Sequence, residues 1–476
     1  MSERTHPVSP LDKALAVNLS ARRYGTFAEI GAGQEVVRWF FQAGGAAGTI
    51  SKSISAYDMT VSDAIYGDCP RYVCRERLQA MLDYEQDLNL TRLADKRGDS
   101  TAFFTFADTV SARNFQGTNE CHGWMGIKFQ SHPRDESSQI VLHVRMLDVE
   151  NTLQQEALGI VGVNLVYGAC FLYYEPDRLV ESLLDSLSTE RIEIDMIEFS
   201  GIEFRHVENR VMSLRLVQLG LTGAAMFSAE GRVLQPSEVL RKRPVLVERG
   251  RFRPVTHVNL DMIDSALAQF EGENDIAPGE TVTLMEITMH NLRCGGTEID
   301  LGDFLARADV LATTGHAVLI SDYFEYYRLA EYLARYTSRR IGIAMGAGSL
   351  ADLFDERYYA HLQGGILESF GRLFKNDLRL YIYPMRDPEN GALHTVANLH
   401  VGGPLQQLYR FLVERGCVVQ LTKYNEEFLR IQSPEVLSCI QRGDMCWESM
   451  VPASVAEAIR DGRLFGYAAA AAGARR

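Results

Sequence analysis

The sequence predicts a layered α/β protein with mostly parallel sheets, a Rossmann-like C-terminal half over 231–467 and an α/β N-terminal half over 1–230. Three observations predict it. Short apolar runs of strand length alternate with amphipathic stretches of helical length, the pattern of layered α/β architecture. The spacing between apolar runs leaves room for crossover helices, which favours parallel pairing with right-handed connections. At 476 residues, 46% hydrophobic and 23% charged, the chain is globular in composition and too long for one core.

In order, residues 25–30 read as a strand leading through Gly31 and Gly33 into a helix over 36–42, with a further strand at 49–55. Leu78, Met81, Leu82, Leu88, Leu90 and Leu93 share one broad face and predict a helix over 75–94. Residues 102–107 and 140–146 are strand-like. Helices follow around 153–167 and 179–187, then a strand at 192–199. In the second half, 212–219 reads as helical and 224–227 as extended. Strands are expected at 244–248, 281–288, 317–321, 341–345 and 378–383, and helices at 260–270, 304–313, 323–336 and 350–374. Turn-rich, charged segments place a boundary between residues 200 and 243, and the Ala-rich end, 468–476, reads as a flexible tail.

A net charge of −14 and a pI near 5.4 argue against a protein that coats nucleic acid or an anionic membrane. No basic segment followed by an apolar run opens the sequence, and no apolar run is long enough to span a bilayer, so a cytoplasmic protein is expected. The eight cysteines (Cys69, Cys74, Cys121, Cys170, Cys294, Cys417, Cys439 and Cys446) form no CxxC and are expected as reduced thiols. A zinc site from Cys69, Cys74, Cys121 and His122 lacks the tight ligand pairs such sites use, so no metal ligands are assigned. GxSxG, HExxH and GxxxxGK[ST] motifs are absent, which removes several common enzyme classes.

Ligands of open α/β sheets bind beyond the carboxyl ends of the strands, so strand-to-loop junctions are the places to search. The segment VLVERGRFRPVTHVNLDM, 245–262, ends an apolar strand in a loop with Gly250, Phe252, Pro254 and Thr256, then enters an amphipathic helix. It resembles the first signature of the nicotinamide/nicotinate mononucleotide adenylyltransferases, roughly G-x-F-x-P-x-[TH]-x-x-H. The final His position holds Asn259, and His257 is displaced towards Thr256. The resemblance implies a nucleotide-binding enzyme that transfers an adenylyl group to a mononucleotide in NAD biosynthesis, with ATP and Mg2+ as cofactors. It implies that Gly250 and the following amides cradle phosphate, with Phe252 in the motif and Arg251 or Arg253 supplying charge. Thr256, His257 and Asn259 would donate to the phosphates as charge shifts to pyrophosphate, at the positive end of the helix beginning near Leu260. Over nearly its full length the chain also resembles an uncharacterised bacterial family of similar size. The stretches FAEIGAGQEV, FADTVSARNF, NECHGW, LQPSEVL and ILESFGRLF carry that likeness, and some members are labelled adenylyltransferase-like.

A second junction, FAEIGAGQEV at 27–36, places an acidic residue and Gly31-Ala32-Gly33 before a helix, with Glu35 where a third glycine would fall. It resembles the first motif of S-adenosylmethionine-dependent methyltransferases; the alternative is a tight turn packing helix on sheet. A third is polar: Asp108, Arg113, Asn114, Asn119, Glu120, His122 and Trp124, in which Asp108 could serve as a base and His122 could exchange protons near neutral pH. The expectation is therefore a nucleotide-binding enzyme of nucleotidyltransferase type, with a small-molecule nucleotide as partner, no nucleic acid or membrane, and a possible homo-oligomer. The alternatives are a non-enzymatic self-assembling or regulatory α/β protein and a methyltransferase-like enzyme using the Gly31–Gly33 loop.

Overall fold

The computed structural model describes residues 9–273, 276–293, 296, 298–387 and 390–468. Cys294 and the tail from 469 onward lie outside the described residues. The chain divides into two compact units, Met1–Gly223 and Ala224–Arg476, each with its own sheet.

In the first unit, helix α1 (Pro10–Asn18) precedes strand β1 (Arg23–Gly31), helix α2 (Val36–Ala43) and strand β2 (Ile50–Ile54). Helices α3 (Met59–Tyr66) and α4 (Arg75–Arg97) then lead to β3 (Ala102–Ser111), β4 (His122–Phe129) and β5 (Ser138–Met146). Helices α5 (Asn151–Phe171) and α6 (Pro176–Ser182), strand β6 (Ile192–Ser200) and helix α7 (Asn209–Gln218) complete it. The sheet order is β2-β1-β3-β4-β5-β6; β1 runs parallel to β2 and β3, and β3 to β6 alternate. Alternation of side chains sorts the two faces. Phe27, Phe104, Phe106, Met125, Ile127, Leu142 and Ile194 pack with α1, α2 and α5 in one apolar core. On the other face α4 covers β1, β3 and β4, its Asn89 Nδ2 donating to the Phe104 carbonyl and its Oδ1 accepting from the Thr26 hydroxyl. α5 is buried along most of its length, as its continuous apolar character demands.

In the second unit, strands β7 (Ala224–Phe227) and β8 (Val233–Leu234) and helix α8 (Pro236–Leu240) lead to β9 (Val245–Arg249). Next come α9 (His257–Glu273), β10 (Val282–Thr288), α10 (Met289–Arg293), α11 (Leu301–Ala312), β11 (Ala317–Ser321), α12 (Tyr326–Ala334) and β12 (Ile341–Gly346). The chain continues through α13 (Ala347–Leu353), α14 (Gly365–Leu373), β13 (Leu378–Tyr383), a hairpin of β14 (Met385–Arg386) and β15 (Leu393–His394), α15 (Gln406–Glu414) and β16 (Val418–Gln420). Helices α16 (Ser433–Arg442) and α17 (Ala453–Gly462) follow. The sheet order is β16-β13-β12-β9-β10-β11-β7-β8, with β9 to β13 and β16 parallel and β7 and β8 antiparallel at one edge. From β9 the chain winds outward through β10 and β11, returns to β12 beside β9, and winds outward the other way: the doubly wound Rossmann-like arrangement. Right-handed crossovers then put the helices on both faces. α12, α13, α14 and α15 share a core with Val245, Val247, Ile343 and Leu380. Phe270 of α9 packs on the opposite face against Tyr381, and a side chain at Gly342 would strike it and Leu246.

Several expected elements change. The single helix expected over 350–374 is two, α13 and α14, separated by a turn that Asp355 caps through the Arg357 amide. β4 is a strand where only a polar cluster was expected, because Gly123, Gly126 and Lys128 blur its apolar alternation. Each half builds its own sheet, of six strands in the first unit and eight in the second.

Candidate functional site

In the second unit β9 and β12 are neighbours whose onward connections leave in opposite directions, so a crevice opens at their carboxyl ends. A cavity of 390 Å³ lies there, within the size range of small-molecule sites. Arg249, Gly250 and Arg251 enter it from the end of β9, Thr288, His290 and Asn291 from β10 and α10, and Ser349 and Asp352 from α13. Phe324, Tyr326, Tyr358 and Tyr359 supply aromatic surface, and Glu325 a carboxylate.

Arg249 is the fixed part of this wall. Its guanidinium makes two bonds to Glu286 (2.8 and 3.0 Å) and donates to the carbonyls of Tyr323 and Phe324. It also lies 4.2 Å from the Tyr326 ring centre. Bidentate pairing of this kind sets geometry as well as energy. Ser321 adds a third donor to Glu286 at 2.5 Å. The exposed positive charge is Arg251, whose carbonyl accepts from buried Arg307 of α11 (3.1 Å). Arg307 also holds the Asn291 carbonyl, so one buried cation fixes both loops on this rim. Glu325 Oε2 is buried and accepts no hydrogen bond, with Arg328 3.8 Å away.

Of the residues singled out in 245–262, the structure brings Gly250 and Arg251 to the cavity and holds the others elsewhere. The Gly250 amide donates to the Glu286 carbonyl in the sheet ladder, and its own carbonyl accepts from Asn291. A Cβ at Gly250 would meet the Phe252 ring at 2.7 Å, and Phe252 is buried. Arg253 pairs with Asp303 at 2.6 Å and precedes a cis proline. Asn259 closes the start of α9: its Oδ1 accepts from both the amide and the hydroxyl of Thr256, while its Nδ2 donates to Glu248 (2.8 Å). Asn259 thus joins a helix cap to a carboxyl buried at the end of β9, which burial pushes well above the usual carboxylate range. His257 stacks on Phe428 with ring centres 4.7 Å apart, and burial lowers its pKa.

The first unit repeats the switch on a smaller scale, since β1 lies between β2 and β3 and its neighbours are reached on opposite sides. Glu29 and Asp108 are register partners at the carboxyl ends of β1 and β3. Glu29 accepts the first amides of α2, from Val36 (2.8 Å) and Val37 (3.4 Å). Desolvation raises Glu29 to about 8 despite those amides, and desolvation with the Glu29 charge raises Asp108 well above the ordinary range. Gly33 lies against Asp108, where an added Cβ would sit 2.1 Å from Oδ1. Only glycine fits there. In the polar cluster, His122 and His143 join with Asp195 in a relay: Asp195 Oδ1 to His143 Nδ1 2.6 Å, His143 Nε2 to His122 Nδ1 3.0 Å. Trp124 packs edge-on against His143. Asn119 binds Ser111 and the Ala112 carbonyl, and Arg113 donates to the Val149 carbonyl.

Cys69 and Cys74 approach to 3.5 Å and Cys439 and Cys446 to 3.1 Å. Among the described residues, no group of three or more His, Cys, Asp or Glu converges on a point that could hold a metal, and no helix is long and apolar enough to cross a membrane.

No family model matches the chain, and no curated protein does. Solved structures that overlap part of it include the competence/damage inducible protein CihA from Agrobacterium tumefaciens (15% identity, 35% of this chain and 97% of that one, TM-score 0.25). Another is a competence-damaged protein (CinA) superfamily protein from Enterobacter cloacae (16% identity, 36% and 98%, TM-score 0.25). The overlap is confined to about a third of the chain, and the Rossmann-like description rests on this protein's own strand order and directions.

Proposed function

We propose that the cavity at the carboxyl ends of β9, β10 and β12 binds a mononucleotide, and that adenylyl transfer from Mg-ATP to that mononucleotide is the reaction it serves. The observation that carries the reading is the combination, in one switch-point cavity, of an exposed cation beside His290 and an aromatic wall of Phe324, Tyr326 and Tyr358. A flat base suits the wall, and a phosphate suits Arg251 and His290. The Gly250 region contributes its position at the rim rather than free amides. Glu325 and Asp352 are the residues that would hold Mg2+ together with nucleotide phosphates, since this ion binds through one or two carboxylates and keeps its remaining ligands from phosphate and water. In the transfer, a phosphate oxygen of the mononucleotide bonds to the α-phosphorus of ATP as the bond to pyrophosphate breaks. The chain's part is to position the partners and offset charge.

A second reading, binding without turnover in a regulatory protein, is favoured by one observation. Asn259, at the position of the signature's final histidine, has both ends of its amide engaged by Thr256 and Glu248.

Calorimetric titration with nicotinamide mononucleotide, followed by a pyrophosphate-release assay with Mg-ATP, tests both. Binding that weakens about tenfold or more in Arg251→Ala, a difference of ~1.4 kcal/mol, supports the site. Pyrophosphate release would support transfer; binding without release would support the regulatory reading. No binding of either nucleotide would remove both.

A further inference from the structure

We infer that Cys439 and Cys446 form a reversible oxidation site, closed to a disulfide by a low-molecular-weight disulfide and reopened by a thiol reductant. The inference is independent of the mononucleotide reading and concerns no residue that lines that cavity.

Backbone geometry sets the pair. Cys439 lies in the last turn of α16, and Gly443 ends the helix with φ +75°, a value that glycine adopts without strain. There the Gly443 amide donates to the Ile440 carbonyl (3.1 Å) and the Asp444 amide to the Cys439 carbonyl (3.0 Å), the paired bonds of a Schellman turn. The turn sends the chain into the segment Met445–Met450, where Trp447, next to Cys446, is fully buried and packs edge-on against Tyr467. Both cysteines are therefore carried by anchored backbone, and their sulfurs stand 3.1 Å apart. A small adjustment of the two side chains separates that contact from a sulfur–sulfur bond, which is about 2 Å long.

The two sulfurs divide the chemistry. Cys446 is exposed and Cys439 buried, so an incoming disulfide meets Cys446. The Cys446 thiolate attacks one sulfur of the oxidant, expels the other as a thiolate and forms a mixed disulfide. Cys439, having lost its proton to solvent, attacks the Cys446 sulfur, and the second half of the oxidant leaves as a thiolate. The two released thiolates take up the two protons that the cysteines gave, so two protein thiols are oxidised and one disulfide is reduced to two thiols. In the resting pair Cys446 holds the Cys439 thiol above its ordinary value, while the Arg442 guanidinium, donating to Cys439 Sγ at 3.4 Å, pulls the other way. Once Cys446 is in a mixed disulfide it carries neither proton nor charge, and the pull of the arginine remains. Cys69 and Cys74, 3.5 Å apart, lack this arrangement. Cys74 Sγ accepts from the Arg77 amide at the start of α4 (3.4 Å) and donates to the Arg71 carbonyl (3.0 Å), and burial pushes its thiol up to about 12. That sulfur serves a helix cap, and little of it is thiolate.

The full chain is reduced, freed of reductant and exposed to glutathione disulfide, then trapped with an alkylating agent at intervals and mapped by peptide mass spectrometry. The expected first product is a Cys439–Cys446 crosslink, formed roughly tenfold or more faster than any link between Cys69 and Cys74 and reversed by dithiothreitol. Cys439→Ser should instead accumulate a stable glutathione adduct on Cys446. In Cys446→Ser, a surface substitution, Cys439 should react roughly tenfold or more slowly than Cys446 does in the other variant. The inference is overturned if no Cys439–Cys446 crosslink forms in the unsubstituted chain, whether Cys446 stays a thiol or keeps its glutathione. It is equally overturned if Cys69 and Cys74 close first, or if buried Cys439 reacts as fast alone as Cys446 does.

Discussion

At the scale of single residues, the two candidate sites differ in how much of them a linear sequence displays. Gly250 and Arg251 stand at a strand end beside a recognisable pattern, and both reach the cavity. Thr256 and Asn259 belong to the same pattern, yet their polar atoms serve the start of α9 and the acid beneath it. Spacing cannot distinguish a side chain facing a ligand from one facing its own helix cap, because a residue three positions into a helix can do either. The other lining residues come from separate parts of the chain: Thr288 and His290, Phe324 and Glu325, Asp352, Tyr358. Their convergence is a product of the winding order. The acids Glu29, Asp108 and Glu286 did leave a signal, each being the one charge inside a mostly apolar strand segment. Such a charge is costly unless something answers it. The roles assigned to Asn259 and Arg251 separate by experiment. Asn259→Ala removes a cap and the hydrogen bond to buried Glu248, and should cost about 1–3 kcal/mol in denaturant unfolding with nucleotide affinity little changed. Unchanged stability with abolished binding would place Asn259 in the site instead.

At the scale of elements, most helices and strands were legible from apolar periodicity. The exceptions have local causes: glycines and a lysine in β4, and Asp355 capping the turn between α13 and α14. The meeting of β1, β3 and α2 was half visible. The Gly31–Gly33 turn could be read, but the acid pairing beneath it depends on β1 and β3 lying side by side with Glu29 opposite Asp108. That pairing has a pH signature. Glu29 faces Asp108 across the strands, the Val36 and Val37 amides at the start of α2, and the charge of Glu35. Because its folded pKa is raised, to about 8 from 4.5, the native state keeps a proton that the unfolded chain has already released. The native state then binds more protons between those two values. Stability therefore falls as pH rises from about 4.5 to about 8, by at most ~1.4 kcal/mol per pH unit for one proton. Asp108→Asn takes away the neighbouring acid and should flatten that fall, as read from chemical unfolding at a series of pH values. An identical slope in the variant would show that the pair does not share a charge burden.

At the scale of the whole molecule, the chain builds the same device twice. Each unit places a parallel strand between two neighbours reached in opposite directions, and each opens a cavity at the carboxyl ends of those strands. The α/β class and the Rossmann-like winding of the second unit follow from alternating elements, which a sequence displays. The antiparallel half of the first sheet follows from short connections from β3 to β5, and from a long helical return through α5 and α6 to β6, which periodicity alone does not order. What differs between the units is what lines the cavity: Arg251, His290 and an aromatic wall in one, Tyr57, Glu35, Asp58 and Arg113 in the other. The most direct measurement is a crystal structure of the full-length protein grown with saturating nicotinamide mononucleotide. The account predicts ligand density at the carboxyl end of β9, with the phosphate within hydrogen-bond reach of Arg251 and the ring against Tyr358 or Tyr326. Density for the mononucleotide at the Gly31–Gly33 loop, or an empty cavity beside Arg251 at saturating ligand, would contradict it.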